Sequence, residues 1–207
     1  MLRALSAAAV LGALASAGAT AHAQDRADPG AADQGLEVRI GRFPFLGNGK
    51  ALGPLLAAGH DVVALDISWN VLQRLDGDRI LADAAALPFG EATFATVLDL
   101  HCTGHLLAAG RKLAHAAQAR VVMPGGHVVV QRLHVDDLRA DKGDLVEPGT
   151  RELTDGRRTH VSDEDELRSD LEAAGLTVVH VDIDRHRQRI RGGHADRASI
   201  TMVARAD

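Results

Sequence analysis

Two carboxylates stand where short apolar runs stop. Val62-Val63-Ala64-Leu65 ends at Asp66, and a second short run ends at Asp83. Strands that finish in acids at one edge of an open α/β sheet make a nucleoside site, because ligands bind in the crevice beyond the carboxyl ends of such strands. One carboxylate there can accept both hydroxyls of a ribose, and a second can reach an adenine amino group. A third set of polar residues, Asp99, His101 and His105, ends or follows the run TFATVLDL. An imidazole titrates near neutral pH, which makes His101 and His105 candidate general bases. The competing reading of His101 is a side chain that only lines its loop. The two histidines are four apart, a spacing that would put them on one helical face, but no third ligand at diagnostic spacing accompanies them and no metal site is expected. The single cysteine, Cys102, rules out a disulfide within the chain and a cysteine-only zinc site.

These residues need a scaffold of strands alternating with helices. Residues 37–46 read as a strand, Gly47-Asn48-Gly49-Lys50 as a glycine turn, and 51–58 as a short helix ended by Gly59. Residues 60–66 form the next strand, and Ser68 is a suitable N-cap for a helix over 69–75. Strands follow at 79–81, 93–100 and 127–133, with helical periodicity over 106–120 and a Pro124-Gly125-Gly126 turn. Short apolar runs separated by helices are the pattern of buried parallel strands. Residues 135–158 are polar and without clear period, an expected excursion over the sheet edge. A helix over 162–174 is predicted, with Ser162 as N-cap and Asp165 three residues on, ended by Gly175. Residues 176–183 and 198–204 read as two final strands, joined by a basic loop that carries Gly192-Gly193.

The chain has 207 residues, which suits one α/β domain with an extra segment. With four Phe, one Trp and no Tyr, the core must be built from Ala, Val, Leu and Ile. The formal net charge is -5, with bases interspersed among acids, so no nucleic-acid footprint is expected. No run in the folded part is long and apolar enough to span a membrane. Residues 1–36 form a separate unit ahead of the domain at 37–207. Arg3, the apolar stretch 4–17 and Ala21-His22-Ala23 have the layout of a secretory signal. An Ala-rich extension and a reading-frame slip upstream of Leu46 are the competing accounts. The expected location is cytoplasmic, with export as the alternative if the signal is genuine.

The order of these segments resembles the class I S-adenosylmethionine (SAM)-dependent methyltransferases from about Gly47 to Ala204. The resemblance rests on GNGK at 47–50, VVALDIS at 62–68, ADAAALPF at 82–89, FATVLDLHCTGHL at 94–106 and MPGGHVVVQR at 123–132. It implies a Rossmann-like, mostly parallel seven-stranded sheet whose last strand is antiparallel and hairpin-paired. It implies transfer of a methyl group from SAM to an acceptor, expected to be a small molecule. In this family Gly47, Asn48 and Gly49 would let the backbone approach the methionine moiety. Asp66 would hold the ribose, Ile67 would pack on the adenine, and Asp83 with the Ala84 amide would hold the adenine edge. Asp99 and Leu100 would line the donor site. The segment KGDLVEPGTRELTDGRRTH at 142–160 resembles a group of small prokaryotic methyltransferases, with Glu147, Arg151 and His160 as acceptor-pocket candidates. One departure stands out: where the family has an acid and a first glycine, this chain has Phe43 and Phe45. That leaves a catalytically impaired SAM-binding protein as the alternative. A nucleotide-dependent oxidoreductase would need a GxGxxG turn at the first strand, or in its short-chain form a catalytic Tyr, and both are missing.

Overall fold

A computed structural model of the chain describes residues 38–41, 52–190 and 193–207. In chain order the elements are β1 (Val38–Gly41), α1 (Leu52–Ala57), β2 (Val63–Asp66), α2 (Trp69–Leu72), β3 (Asp78–Leu81), β4 (Phe94–Leu100), a 3-10 turn (Thr103–His105) and α3 (Ala108–Val121). They continue with β5 (Val122–His134), β6 (Asp144–Glu147), β7 (Thr150–Glu152), β8 (Arg158–Ser162), α4 (Glu164–Ala173), β9 (Leu176–Ile190) and β10 (Gly193–Ala206). Phe43, Phe45, Gly47, Asn48 and Gly49 lie outside the described residues, as does the signal-like N-terminal segment.

Seven strands lie in the order β3-β2-β1-β4-β5-β10-β9, with β1 to β5 parallel and β10 antiparallel to both of its neighbours. The expected antiparallel last strand and its hairpin partner are therefore present. The sheet is nonetheless mixed rather than mostly parallel, because β6, β7 and β8 bring it to ten strands among the described residues. The polar stretch 135–158, expected to be an irregular excursion, contains most of this ribbon. β8 pairs with β5 at Leu133↔Val161 and His134↔Ser162, just past the point where β4 ends at Leu100↔Gln131. The other side of β5 is already taken by β10, with Leu133 opposite Ser199. The ribbon thus takes over the position of β4 and stands above the carboxyl edge of the sheet.

The strand residues alternate between two apolar layers, as a pleated sheet covered on both faces requires. Leu98, Val129 and Val203 are register partners across β4, β5 and β10, and they pack with Leu52 and Leu55 of α1 and Leu72 of α2. The neighbouring row, Val97, Val128 and Ala204, packs with Val121 of α3 and Leu167 and Leu171 of α4. Aliphatic side chains fill both layers, with Phe94 the only fully buried aromatic among the described residues.

Four local expectations change. The final hairpin runs to Ile190 and resumes at Gly193, so the expected basic loop is mostly strand. Arg187, Arg185 and their neighbours pair in register with β10 instead of looping out. Gly192 lies outside the described residues. α4 is capped by Asp163, whose side chain accepts from the Glu166 amide, and not by Ser162, which is the last residue of β8. α2 is only four residues long, and the Ser68 side chain makes no capping bond. Finally, Pro124-Gly125-Gly126 lies inside β5 and shifts its register against β4. A Cβ on Gly126 would sit 2.6 Å from the Ala95 carbonyl oxygen, so only glycine lets β4 and β5 come together at this bulge.

Candidate functional site

The parallel strands deliver the predicted residues to one edge. Asp66 is the last residue of β2 and is 1% exposed. Its Oδ1 accepts the Ser68 amide at 2.7 Å, which folds the chain sharply into α2. The Asp66 carbonyl accepts the Ala82 amide and so ties the ends of β2 and β3 together. Asp83, just beyond β3, is exposed, and its Oδ1 accepts the Ala85 amide at 2.9 Å. Ala84 is buried beneath it. Ile67, the residue after Asp66, is 57% exposed. An exposed apolar face flanked by acids suits a nucleoside, whose base needs a flat apolar contact and whose sugar and amino groups need acceptors. Among the described residues, the nucleoside end of the cofactor implied by the resemblance therefore finds a fitting apolar side chain and acceptors.

Asp99 is placed differently from its expectation as a donor-lining residue. It is 1% exposed, its Oδ1 accepts the amides of Cys102 and Thr103 at 2.9 and 3.2 Å, and its Oδ2 accepts the Gln118 amide group at 3.0 Å. Both oxygens are directed into the protein, where they hold the turn that follows β4. Leu100 lies in the apolar layer on the α1 side. Burial and the Asp99 charge push the Cys102 thiol well above its ordinary pKa, so it is a packed side chain and not a nucleophile.

His101 has a φ of +67°, a conformation that His adopts more readily than most L residues. It is half-buried, and its amide donates to the Gln131 carbonyl at 2.8 Å. Desolvation lowers its pKa to about 4 against the opposing pull of Asp99, with His105, Arg139 and Arg197 lowering it further. His105 ends the 3-10 turn, so the pair does not share a face of an α-helix. His105 Nδ1 lies 2.6 Å from the Arg158 carbonyl oxygen, an acceptor, so this nitrogen carries the proton and Nε2 is the basic atom of the ring. Desolvation lowers its pKa as well.

The three acceptor-pocket candidates of the polar stretch turn out to build the ribbon. Glu147 accepts from the Ala108 amide and from Arg111 Nη1, each at 2.8 Å. His160 is buried, with Nδ1 at 2.8 Å from Thr150 Oγ1 and Nε2 at 3.0 Å from Glu166 Oε1. Arg151 donates to the carbonyls of Ala140 and Gly143. Their polarity serves internal contacts, which composition alone does not distinguish from a binding surface. Sequence reasoning missed a different group. An open cavity of about 160 Å³ beside His105 is lined also by Arg139, Lys142, Leu153, Arg157 and Thr159. The only hint in the sequence was the density of basic residues in a stretch without period.

Residues 46–130 match the family model of a methyltransferase domain. A demethylmenaquinone methyltransferase from Renibacterium salmoninarum is 40% identical over 89 residues, which cover 41% of this chain and 37% of that protein. The match thus spans little more than a third of the relative's length. A SAM-dependent methyltransferase from Methanosarcina mazei superposes with a TM-score of 0.68 at 14% identity, covering 84% of this chain and 94% of the other. A 1,6-didemethyltoxoflavin N1-methyltransferase from Burkholderia thailandensis, solved with bound 1,6-didemethyltoxoflavin and S-adenosylhomocysteine, gives 0.59 at 22% identity, covering 84% and 72%. With its strand order and its antiparallel last strand, the chain has the class I, Rossmann-like methyltransferase fold, and residues 46–130 of it match the methyltransferase-domain model.

Proposed function

We propose that the chain transfers a methyl group from SAM to a small-molecule acceptor. The observation that carries this reading is the placement of Asp66, Ile67, Asp83 and Ala84 at the ends of the adjacent strands β2 and β3. Asp66 accepts the ribose hydroxyls, Ile67 packs on the base, and Asp83 with the Ala84 amide meets its polar edge. Gly47, Asn48 and Gly49 leave backbone room for the methionine moiety. SAM supplies an activated methyl on a sulfonium that is its own leaving group, so the protein has to bind, orient and, where the acceptor is protonated, take a proton. Asp99 holds the turn that carries Leu100, His101 and His105 to the donor. The lowered pKa values keep both imidazoles neutral at pH 7, in the form that accepts a proton. SAM is an intracellular metabolite, which supports a cytoplasmic location for the reaction.

Calorimetric titration of the full chain with S-adenosylhomocysteine tests the reading. Saturable binding is expected, weakened at least tenfold by Asp66→Ala. A folded protein that takes up none of the ligand overturns it.

A further inference from the structure

The cavity beside His105 is lined by none of Asp66, Ile67, Asp83 or Ala84, and its lining is chemically one-sided. Besides His105 it presents Arg139, Lys142 and Arg157, with the Thr159 hydroxyl and the apolar Leu153, and among the described residues no carboxylate lines it. This concentration of cations sits in a chain whose formal net charge is -5. Arg157 has a partner in Asp155. Arg139 is different. Its guanidinium is half-buried and makes no hydrogen bond or ion pair among the described residues, although its backbone amide donates to Asp137 Oδ1 at 3.0 Å. Lys142, at the rim, likewise has no side-chain partner among them. A guanidinium withdrawn from water and left without an acceptor is costly, unless something arriving in the cavity supplies the acceptor.

The loop that carries Arg139 is held from both sides. Asp137, 2% exposed, accepts from Arg197 Nε at 2.7 Å and from the Ala198 amide at 3.1 Å, which anchors the loop to β10. The Leu138 amide donates to the Asp196 carbonyl. From the ribbon side, Arg151 Nε donates to the Ala140 carbonyl at 2.7 Å. Arg139 is thus presented by a fixed backbone, and little ordering remains to be done on binding. Its charge is felt at both His101 and His105, which puts it beside the two candidate bases at the carboxyl edge.

We propose that this cavity is an oxyanion site that holds a carboxylate or phosphate group of the methyl acceptor, with Arg139 and Lys142 as its principal ligands. The acceptor role rests on the methyl-transfer reading above, whereas the anion site itself does not. A guanidinium forms paired hydrogen bonds with either group, and Thr159 adds a neutral donor. The cavity is smaller than the ~300–1,000 Å³ common for whole small-molecule sites, so it suits one anionic end of an acceptor whose reacting end lies toward His101.

The test uses the full chain with inorganic phosphate in one arm and benzoate in the other, followed by NMR titration at constant ionic strength. S-adenosylhomocysteine is titrated separately by calorimetry. The expected result is saturable binding of at least one anion, weakened tenfold or more by Arg139→Gln and also weakened by Lys142→Gln, with affinity for S-adenosylhomocysteine unchanged. The arm that binds tells phosphate from carboxylate. Circular dichroism confirms that each variant is folded, which is expected because neither side chain makes a hydrogen bond among the described residues. Equal affinity of either anion for wild type and Arg139→Gln, or no saturable binding, overturns the anion site. Anion binding without S-adenosylhomocysteine binding supports the site and instead removes the methyl-transfer reading.

Discussion

His115 and Arg132 meet ring nitrogen to guanidinium inside the protein, Nε2 facing Nη2, and both side chains are 0% exposed. A guanidinium only donates, so Nε2 must accept and the ring must be neutral with its proton on Nδ1. From there the direction of each bond follows. Nδ1 donates to Gln118 Oε1 at 2.9 Å, Gln118 Nε2 donates to Asp99 Oδ2 at 3.0 Å, and Asp99 Oδ1 receives the Cys102 and Thr103 amides. Burial first, and the Arg132 charge second, lower the His115 pKa. Nitrogen-15 NMR should find His115 in the Nδ1–H tautomer at pH 7. An Nε2–H tautomer or a charged ring would mean that the chain of bonds runs otherwise.

Arg132 also pairs with Asp170 of α4 at 3.2 Å, where the carboxylate side chain is 18% exposed. Removing the cation by Arg132→Met should leave Asp170, His115 and Thr103 without their donor and cost about 3–5 kcal/mol, the scale for breaking a buried pair. Combining Arg132→Met with Asp170→Leu should recover part of that loss, because the stranded carboxylate goes with it. Urea denaturation of the two singles and the double measures the coupling. Strict additivity would show that the pair acts independently.

Acid should destabilise the fold well before its carboxylates titrate. In the unfolded chain His101 takes up a proton near pH 6.5, and in the folded chain only near pH 4. Between these values the unfolded state binds more protons, so stability is complete above pH 6.5 and falls as pH drops toward 4. His105 and His115 shift in the same direction and add to the slope. For His101 alone the change is at most ~3 kcal/mol. His101→Asn, which tolerates the left-handed backbone, should flatten the pH dependence of unfolding between 4 and 6.5. An unchanged slope would assign the effect to the other histidines.

How much of this was legible in the sequence depends on the kind of signal each element carries. β2, β4 and the core of β5 announce themselves as apolar runs, and Asp66 at the end of β2 and Asp83 just past β3 mark the edge of the candidate site. The ribbon of β6 to β8 was hidden because its strands are short and mixed in polarity, and their pairing is set by the vacancy beside Leu133, a tertiary fact. α3 hides its role in another way. Arg111, Ala114, His115, Gln118 and Val121 form its buried stripe, and three of the five are polar. Hydrophobic periodicity cannot find a face whose buried groups are satisfied by one another. Asp99 stands at a strand end, where a ligand contact and an internal anchor look alike in sequence.

Gly126→Ala tests the bulge between β4 and β5. The added methyl would lie 2.6 Å from the Ala95 oxygen, 2.8 Å from Val122 Cγ2 and 2.9 Å from the Met123 oxygen, two of them backbone atoms that cannot swing away. A loss of about 2–4 kcal/mol is expected, in the range of overpacked core positions. Gly156→Ala offers a control: that glycine has a φ of +79° and nothing within 4 Å, so only the backbone term of about 1–2 kcal/mol applies. Chemical denaturation that ranked the two in the reverse order would contradict the tight approach at the bulge.

Glu147 caps a helix from outside it. Residue 107, at the N-cap of α3, is a leucine and supplies no side-chain bond. The Glu147 carboxylate at the end of β6 takes that place, accepting the Ala108 amide with both oxygens at 2.8 and 3.1 Å, and it also holds Arg111 Nη1 and Thr150 Oγ1. A negative charge at a helix N-terminus also meets the positive end of the helix dipole. Glu147→Gln keeps the shape but loses the charge and one acceptor, and should cost about 1–3 kcal/mol. Glu152→Gln, which only breaks the exposed pair with Arg158, should cost less than about 1 kcal/mol. Because β6 and β7 also brace the loop that presents Arg139, loosening Glu147 should weaken anion uptake in the cavity even where the protein stays folded. Loss of stability with unaltered anion affinity would confine Glu147 to the helix cap and leave Asp137 as the anchor of that loop.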